Sequence, residues 1–347
     1  MKIIQLVGAR PQFVKLAPVS KVIRAQHQEL IIHSGQHYDY QMNEVFFKQM
    51  EIPQPDYYLN VGSGSHGVQT AGILSALEPI LADEDPDWLL VYGDTNTTLA
   101  GALAASKLGI RIAHIEACLR SFNREMPEEI NRIVADHLSD LLLVPTQTGM
   151  ENAKTEGLMD KAHLVGDVMT DSLALGLAAS GKNNIQPQAE APFSLLTLHR
   201  PYNVDDPESL RHILMGLNTL NTNILFPVHP RTLRLIDEDT KRSCPNIRFI
   251  EPLGYLDFIA NMAAAQMVLT DSGGIQKEAY ILGKPCVTLR TETEWVETVD
   301  SGWNLLLPPA DASFPAAIRD FTPPSVHPAL FGERVSQKIV ELLEAHS

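Results

Sequence analysis

Short runs of consecutive apolar residues alternate along the chain with longer stretches whose apolar positions recur every three or four residues. The runs Ile3–Val7, Leu30–His33, Trp88–Tyr92, Ile112–Ile115, Leu141–Val144 and His163–Val165 predict strands. Between them, Phe13–Ala25, Val68–Leu81 and Thr97–Leu108 carry the helical period. Strands apolar along their whole length, joined by helices, predict a parallel sheet covered on both faces. The alternation pauses at residues 181–192, a polar, proline-bearing stretch that predicts a linker. It restarts with Ser194–Leu198, Ile224–Val228, Arg248–Ile250, Met267–Thr270, Cys286–Leu289 and Asn304–Leu307. The expected fold class is α/β: two Rossmann-like parallel-sheet domains facing a cleft, residues 1–170 and 171–330, with a crossover helix around Thr170–Leu177. A last helical pattern, Phe331–Ala345, follows the proline-rich segment 321–328, and its docking place is left open by the pattern.

A length of 347 residues suits two domains, and 44% hydrophobic with 20% charged residues is ordinary for a globular protein. The net charge of −15 argues against nucleic acid or an anionic membrane as partner. Any anionic ligand then needs locally placed arginines and helix N-termini. Cys118, Cys244 and Cys286 are odd in number and lack CxxC spacing, so neither a disulfide framework nor a metal site is predicted. The first strand begins at once, with no secretory leader before it, and no apolar run approaches the roughly 20 residues of a membrane span, which together predict a cytoplasmic protein.

The candidate chemistry gathers where strands are predicted to end. His114-Ile-Glu-Ala-Cys-Leu-Arg-Ser121 and Met126-Pro-Glu-Glu-Ile-Asn-Arg132 bring Glu116, Glu128, Arg120 and Arg132 together after an apolar strand, and Val91-Tyr-Gly-Asp94 ends another strand on an acid. Ligands of open α/β sheets bind beyond the carboxyl ends of strands, so Asp94, Glu116 and Glu128 are expected at one edge, where clustered acids suit proton abstraction. Asp94 and Glu128 also have plain readings: Asp94 as an N-cap of the next helix, and Glu128, like Glu129, as a first-turn acid, with Glu128 also an i,i+4 partner of Arg132. Gly8-Ala-Arg-Pro places Arg10 and Lys15 at a glycine turn opening the first helix, an anion-favouring position without the full dinucleotide fingerprint. Thr270-Asp-Ser-Gly-Gly-Ile-Gln-Lys-Glu278 offers Ser272, Gly273 and Gly274 to a phosphate at a helix N-terminus, with Glu278 one turn on, suited to ribose hydroxyls. His199 and His229 each precede an arginine or proline–arginine just past a predicted strand.

With these motifs the chain resembles the non-hydrolysing UDP-N-acetylglucosamine 2-epimerases, from the Gly8-Ala-Arg-Pro turn to Gly302-Trp-Asn. The resemblance implies a GT-B-like architecture with residues 331–347 returning to the first domain. It implies a UDP-sugar substrate, inversion at C2 through a 2-acetamidoglucal, no metal or cofactor, a homodimer and a place in polysaccharide biosynthesis. By the same resemblance Asp94, Glu116 and Glu128 handle the C2 proton and His199 lies near the diphosphate. Arg10, Lys15 and Arg132 are ligand-binding cations. Ser272, Gly273, Gly274 and Glu278 contact UDP phosphate and ribose, with Phe258 near the uracil. Three features depart from the family pattern. Cys118 replaces its usual glycine, where a side chain meets a backbone needing positive φ or crowds Glu116. The loop 121–126 is shorter, and residues 62–67 lack an arginine that some members use for a second substrate molecule. Thr293-Glu-Trp-Val-Glu297 looks more like a subgroup that includes UDP-2,3-diacetamido-glucuronate 2-epimerases. A hydrolysing epimerase releasing free N-acetylmannosamine, a GT-B glycosyltransferase and a non-catalytic UDP-sugar binder are the alternatives.

Overall fold

The computed structural model describes residues 1–35, 47–48, 50–189, 192–311 and 313–347, the Arg10 side chain excepted. The chain divides into two compact units, Met1–Leu175 with Phe331–Ser347, and Gly176–Leu330. Each is a parallel sheet with helices on its faces.

Among the described residues of the first unit seven strands run in the order β3-β2-β1-β4-β5-β6-β7. They are β1 Lys2–Val7, β2 Gln28–His33, β3 Tyr57–Tyr58, β4 Trp88–Tyr92, β5 Arg111–Ile115, β6 Leu141–Val144 and β7 Ala162–Leu164. Every described pairing is parallel, with Ile4 opposite Leu30 and Leu89, and Leu90 opposite Ala113. Parallel strands need crossovers, and helices Arg10–Gln26, His66–Glu84, Asn96–Leu108 and Pro127–Leu138 supply them. Ile4, Leu6, Ile32, Leu89, Val91 and Ile112 pack against Leu77 and Leu81 of one helix and Ala102, Ala104 and Ala105 of another. Each such Ile or Leu gains about 2 kcal/mol over exposure, which makes this layer the rigid base for the loops above it. The two-residue edge strand β3 has no counterpart in the hydrophobic pattern, being too short to show a period.

The terminal helix begins at Val335 rather than at Phe331. The reason is a backbone-to-backbone seat: Asp167 N donates to Phe331 O at 2.8 Å, and a β-carbon on Gly166 (φ +97°) would lie 2.4 Å from that same oxygen. Residues 331–334 are spent on this close approach, and Gly332 turns through φ +72° to leave it. The helix then lies on Arg10–Gln26, with Ser336 N donating to Asp171 and His27 facing Glu344 at 2.8 Å.

The described residues of the second unit form six strands in the order β10-β9-β8-β11-β12-β13: β8 Phe193–Thr197, β9 Asn223–Pro227, β10 Ile247–Ile250, β11 Met267–Thr270, β12 Cys286–Thr288 and β13 Asn304–Leu306. One face buries Leu196, Phe226, Leu269 and Val287 with Leu210, Ile213 and Leu214; the other buries Leu195, Leu225 and Val268 with Met262 and Ala279. In both sheets the strand order reverses once, between β1 and β4 and between β8 and β11. Two helices diverge at such a point and leave a crevice at the strands' carboxyl ends.

Candidate active site

At the reversal in the first unit the buried Gln12 joins the two loops. Its side-chain oxygen accepts from Gly8 N (2.8 Å) and Ala9 N (3.0 Å), and its amide donates to Tyr92 O (2.8 Å). The Gly8-Ala9 amides are therefore occupied internally, so the anion site expected there has lost two of its donors. Lys15, one turn further along that helix, pairs with Glu116, which follows β5. Arg132 pairs with Asp94 after β4 and donates to Glu129 Oε2 at 2.9 Å. Asp94 is not the helix cap; Thr95 is, accepting from Thr98 N. The helix Pro127–Leu138 is docked on the Asp94 loop by Asn131, which donates to Asp94 O at 2.8 Å. Lys15, Asp94, Glu116 and Arg132 thus meet at one strand-end crevice as two acid–base pairs. Glu128 lies one turn before Arg132, half-buried, with no hydrogen-bond or ion-pair partner among the described residues.

Its neighbour Glu129 has a different task. It is buried and accepts from Ser121 N (2.9 Å), Ser121 Oγ (3.0 Å) and Phe122 N (2.9 Å) as well as Arg132. Burial alone would raise its carboxyl, but the Ser121 amide, Arg132 and the Phe122 amide outweigh it and hold the group below the ordinary carboxylate range. Glu129 fixes both the loop 121–126 and the Arg132 fork.

Beneath Glu116 lies a wholly buried network centred on Asp136. His114 Nδ1 meets Asp136 Oδ1 at 2.7 Å, and Arg120 reaches Oδ2 at 2.7 Å. The Cys118 amide donates to both oxygens at 3.2 and 3.1 Å. The other His114 nitrogen faces Gly93 O at 2.7 Å. Both ring nitrogens therefore face acceptors, which fixes the ring between Asp136 and Gly93. Arg120 also forks onto Glu156, with two contacts of 2.7 Å. Burial pushes Asp136 up, and His114 and Arg120 together more than reverse this. Glu116 and Cys118 both adopt left-handed backbone, φ 68° and 61°, and the Asp136–Cys118 bonds hold that turn. The Cys118 side chain is buried in an apolar cluster with Leu142, Val144 and Ala153. Burial pushes its thiol up to about 12, leaving it neutral and inert.

In the second unit one residue unites the two motifs. Asp271, fully buried between β11 and the next helix, accepts from His199 N (3.0 Å), Arg200 N (3.0 Å) and Asn203 Nδ2 (3.0 Å). His199 Nδ1 lies 3.2 Å from Asp271 Oδ1, which holds the ring with its other nitrogen outward. Burial pushes Asp271 up, and the bonds from His199, Asn203 and Arg200 bring it below its ordinary value. Ser272 caps the Gly273–Ile281 helix, with Glu278 half-buried on that helix. His199, Ser272, Gly273 and Gly274 therefore stand together at the β8–β11 reversal. Phe258 lies on Tyr255–Ala264 after β10 and packs on the cluster of Phe193, Leu225 and Met262. His229 is a cap, accepting from Arg231 N at 3.2 Å, the structural reading of that motif. The Arg10 side chain is outside the described residues. Sequence gives no role to Gln12, Asp136 or Asp271 and reads Glu129 only as a first-turn acid, although each lies inside or within four residues of a candidate motif. Among the described residues no three His, Cys, Asp or Glu side chains form a group able to hold a metal ion, and no helix is long and apolar enough to cross a membrane.

The family model described as UDP-N-acetylglucosamine 2-epimerase matches residues 21–344. A Methanococcus maripaludis protein described as a UDP-N-acetylglucosamine 2-epimerase homolog is 51% identical, covering 99% of each chain. The Pseudomonas aeruginosa UDP-2,3-diacetamido-2,3-dideoxy-D-glucuronate 2-epimerase is 49% identical over 88% of each. A crystal structure of the Methanocaldococcus jannaschii UDP-GlcNAc 2-epimerase in complex with UDP-GlcNAc and UDP matches with a TM-score of 0.83 at 39% identity, covering 99% of this chain and 100% of that one.

Proposed function

The chain belongs to the UDP-N-acetylglucosamine 2-epimerase family, and we propose on that premise that it converts UDP-N-acetylglucosamine to UDP-N-acetylmannosamine without net hydrolysis. The observation that carries this reading is the pairing of two acids at neighbouring strand ends, Asp94 with Arg132 and Glu116 with Lys15, beside Glu128, which has no partner among the described residues. Abstraction of a proton next to an acetamido carbon needs a positioned carboxylate, and departure of a diphosphate needs cations and helix N-termini.

In the proposed sequence one carboxylate takes the C2 proton while the C1–O bond to the β-phosphate breaks. The products are a 2-acetamidoglucal and UDP. A proton then reaches C2 from the opposite face as the UDP oxygen re-forms its bond to C1, so atoms and charge are conserved. His199, Ser272, Gly273 and Gly274 are assigned to the diphosphate, Glu278 to the ribose and Phe258 to the uracil. Arg10, Lys15 and Arg132 are assigned to ligand charge, and the working form to a homodimer.

A second reading is favoured by the 49% identity to the diacetamido-glucuronate enzyme, whose substrate differs at C3 and C6 but not in the chemistry at C2. Both are tested by incubation in D2O with each nucleotide sugar. The expected result is the C2 epimer carrying deuterium at C2 for one of them. Free N-acetylmannosamine accumulating with UDP would convert the reading to a hydrolysing epimerase, and inertness of both sugars would reject it.

A further inference from the structure

The loop after β12 returns over the Gly273–Ile281 helix and places there an ion pair that the reading above does not use. Arg290 is 8% exposed, and its buried Nε has no hydrogen-bond partner among the described residues. A buried N–H without an acceptor is uncommon in a settled protein interior and marks a place for an absent anion or water. One guanidinium nitrogen, NH1, donates to Glu294 Oε2 at 2.9 Å. The other carboxylate oxygen rests on Gly273, at the first residue of the helix: a β-carbon built there would lie 1.9 Å from Glu294 Oε1. The loop is fastened on both sides of that carboxylate. Thr293 donates its hydroxyl to Gln276 Oε1 at 2.6 Å, and the Lys277 ammonium lies 4.3 Å from the Trp295 ring centre. The Glu294 side chain itself is 47% exposed and free to swing into water.

An anion therefore already stands at this helix N-terminus, and it belongs to the protein. Its charge suits the positive end of the helix, and it satisfies only part of a planar cation that presents five donors. A diphosphate offers more oxygens than one carboxylate and matches the guanidinium fork better. We propose that Arg290 is a further diphosphate-binding residue and that Glu294 is its exchangeable counter-ion, displaced when a nucleoside diphosphate takes its place; this rests on the UDP-sugar reading above. Gly273 is then required twice, to admit the carboxylate in the empty protein and a phosphate in the loaded one. Arg290 thereby neutralises charge on the departing diphosphate, in the position where charge accumulates as C1–O breaks.

The test is titration calorimetry with UDP on the full chain, comparing wild type, Arg290→Lys, Glu294→Gln and the exposed control Glu292→Gln. Arg290→Lys keeps the charge but loses the fork, and UDP affinity is expected to fall about tenfold. Glu294→Gln removes the competing anion while keeping its shape, and affinity is expected to rise on the order of tenfold. Glu292→Gln removes the same formal charge two residues away and is expected to leave affinity unchanged. Weaker binding by Glu294→Gln would make Glu294 a fixed support of Arg290 and overturn the exchange. Equal tightening by Glu292→Gln would reduce the effect to bulk charge and overturn it too. Unchanged affinity in Arg290→Lys overturns the inference alone, whereas a wild type that binds no UDP overturns it together with the reading beneath.

Discussion

Asp136→Asn is the substitution that most directly tests how Glu116, an acid proposed to act at C2, is held. Asp136 is wholly buried, touches no expected ligand position, and holds His114, Arg120 and the Cys118 amide at once. Asparagine keeps the volume and one acceptor, but its amide turns two donors toward a site already crowded with donors. Removing one partner of a buried ion pair costs about 3–5 kcal/mol, and the surviving carbonyl keeps this change near the lower end. For a unit of this size the first unit should melt about 6–12 °C lower by calorimetry. The sign of the pH dependence follows from the depressed carboxyl. Stability from ionised Asp136 is fully present above its ordinary value of 3.8 and is lost as pH falls through the lower folded value, so the gap between wild type and variant closes only in strong acid. Glu116 sits two residues from Cys118 on the same left-handed turn, so C2 deuterium exchange should fall about 100-fold while UDP affinity changes little. A variant that melts within about 2 °C of wild type and exchanges at the wild-type rate would refute the claim that this network positions the acid.

Glu116→Gln should lower C2 exchange by about 1,000-fold with UDP affinity within about threefold by calorimetry, because Glu116 is proposed to act on the sugar ring and the nucleotide to be held by His199 and Ser272–Gly274. Asp271→Asn should destabilise the second unit by about 2–3 kcal/mol in urea and weaken UDP binding roughly tenfold, since His199, Arg200 and Asn203 lose a common charged acceptor. Cys118→Gly should change stability by less than about 1 kcal/mol and leave turnover intact: relief of left-handed strain and loss of a buried thiol have similar size. Faster turnover in that variant would show that the cysteine does obstruct the site after all.

The sheets were legible because parallel strands buried on both faces are apolar at every position. Trp88–Tyr92, Leu141–Val144 and Met267–Thr270 coincide with predicted runs to the residue. What escaped was set by contact instead of period. The edge strand Tyr57–Tyr58 pairs with Ile32 and His33 through two residues, and no periodic signal exists at that length. The stretch 331–334 is helical in pattern, yet it is captured by a glycine seat more than 160 residues away in sequence.

The site divides in the same way. Residues that reach outward are announced by clustering after strands, as Asp94, Glu116 and Ser272–Gly274 were. Those that hold them are polar groups facing inward, which hydrophobic pattern counts as surface. Glu128 and Glu129 show the difficulty: successive helical positions are separated by about 100°, so adjacent identical acids face different surroundings. One is half-exposed with no partner among the described residues, the other buried under three hydrogen bonds from the loop it anchors. A usable signal was nonetheless present. Glu129, Arg132 and Asp136 recur at helical spacing on the face that carries the buried Ala135 and Asn131, so charge itself follows the inward period of that helix. An inward-facing charged stripe needs compensating partners, and at a strand-end crevice those partners are the loops that carry the reacting groups. The support for the acids was therefore written in the same helix as Arg132, one turn either side of it.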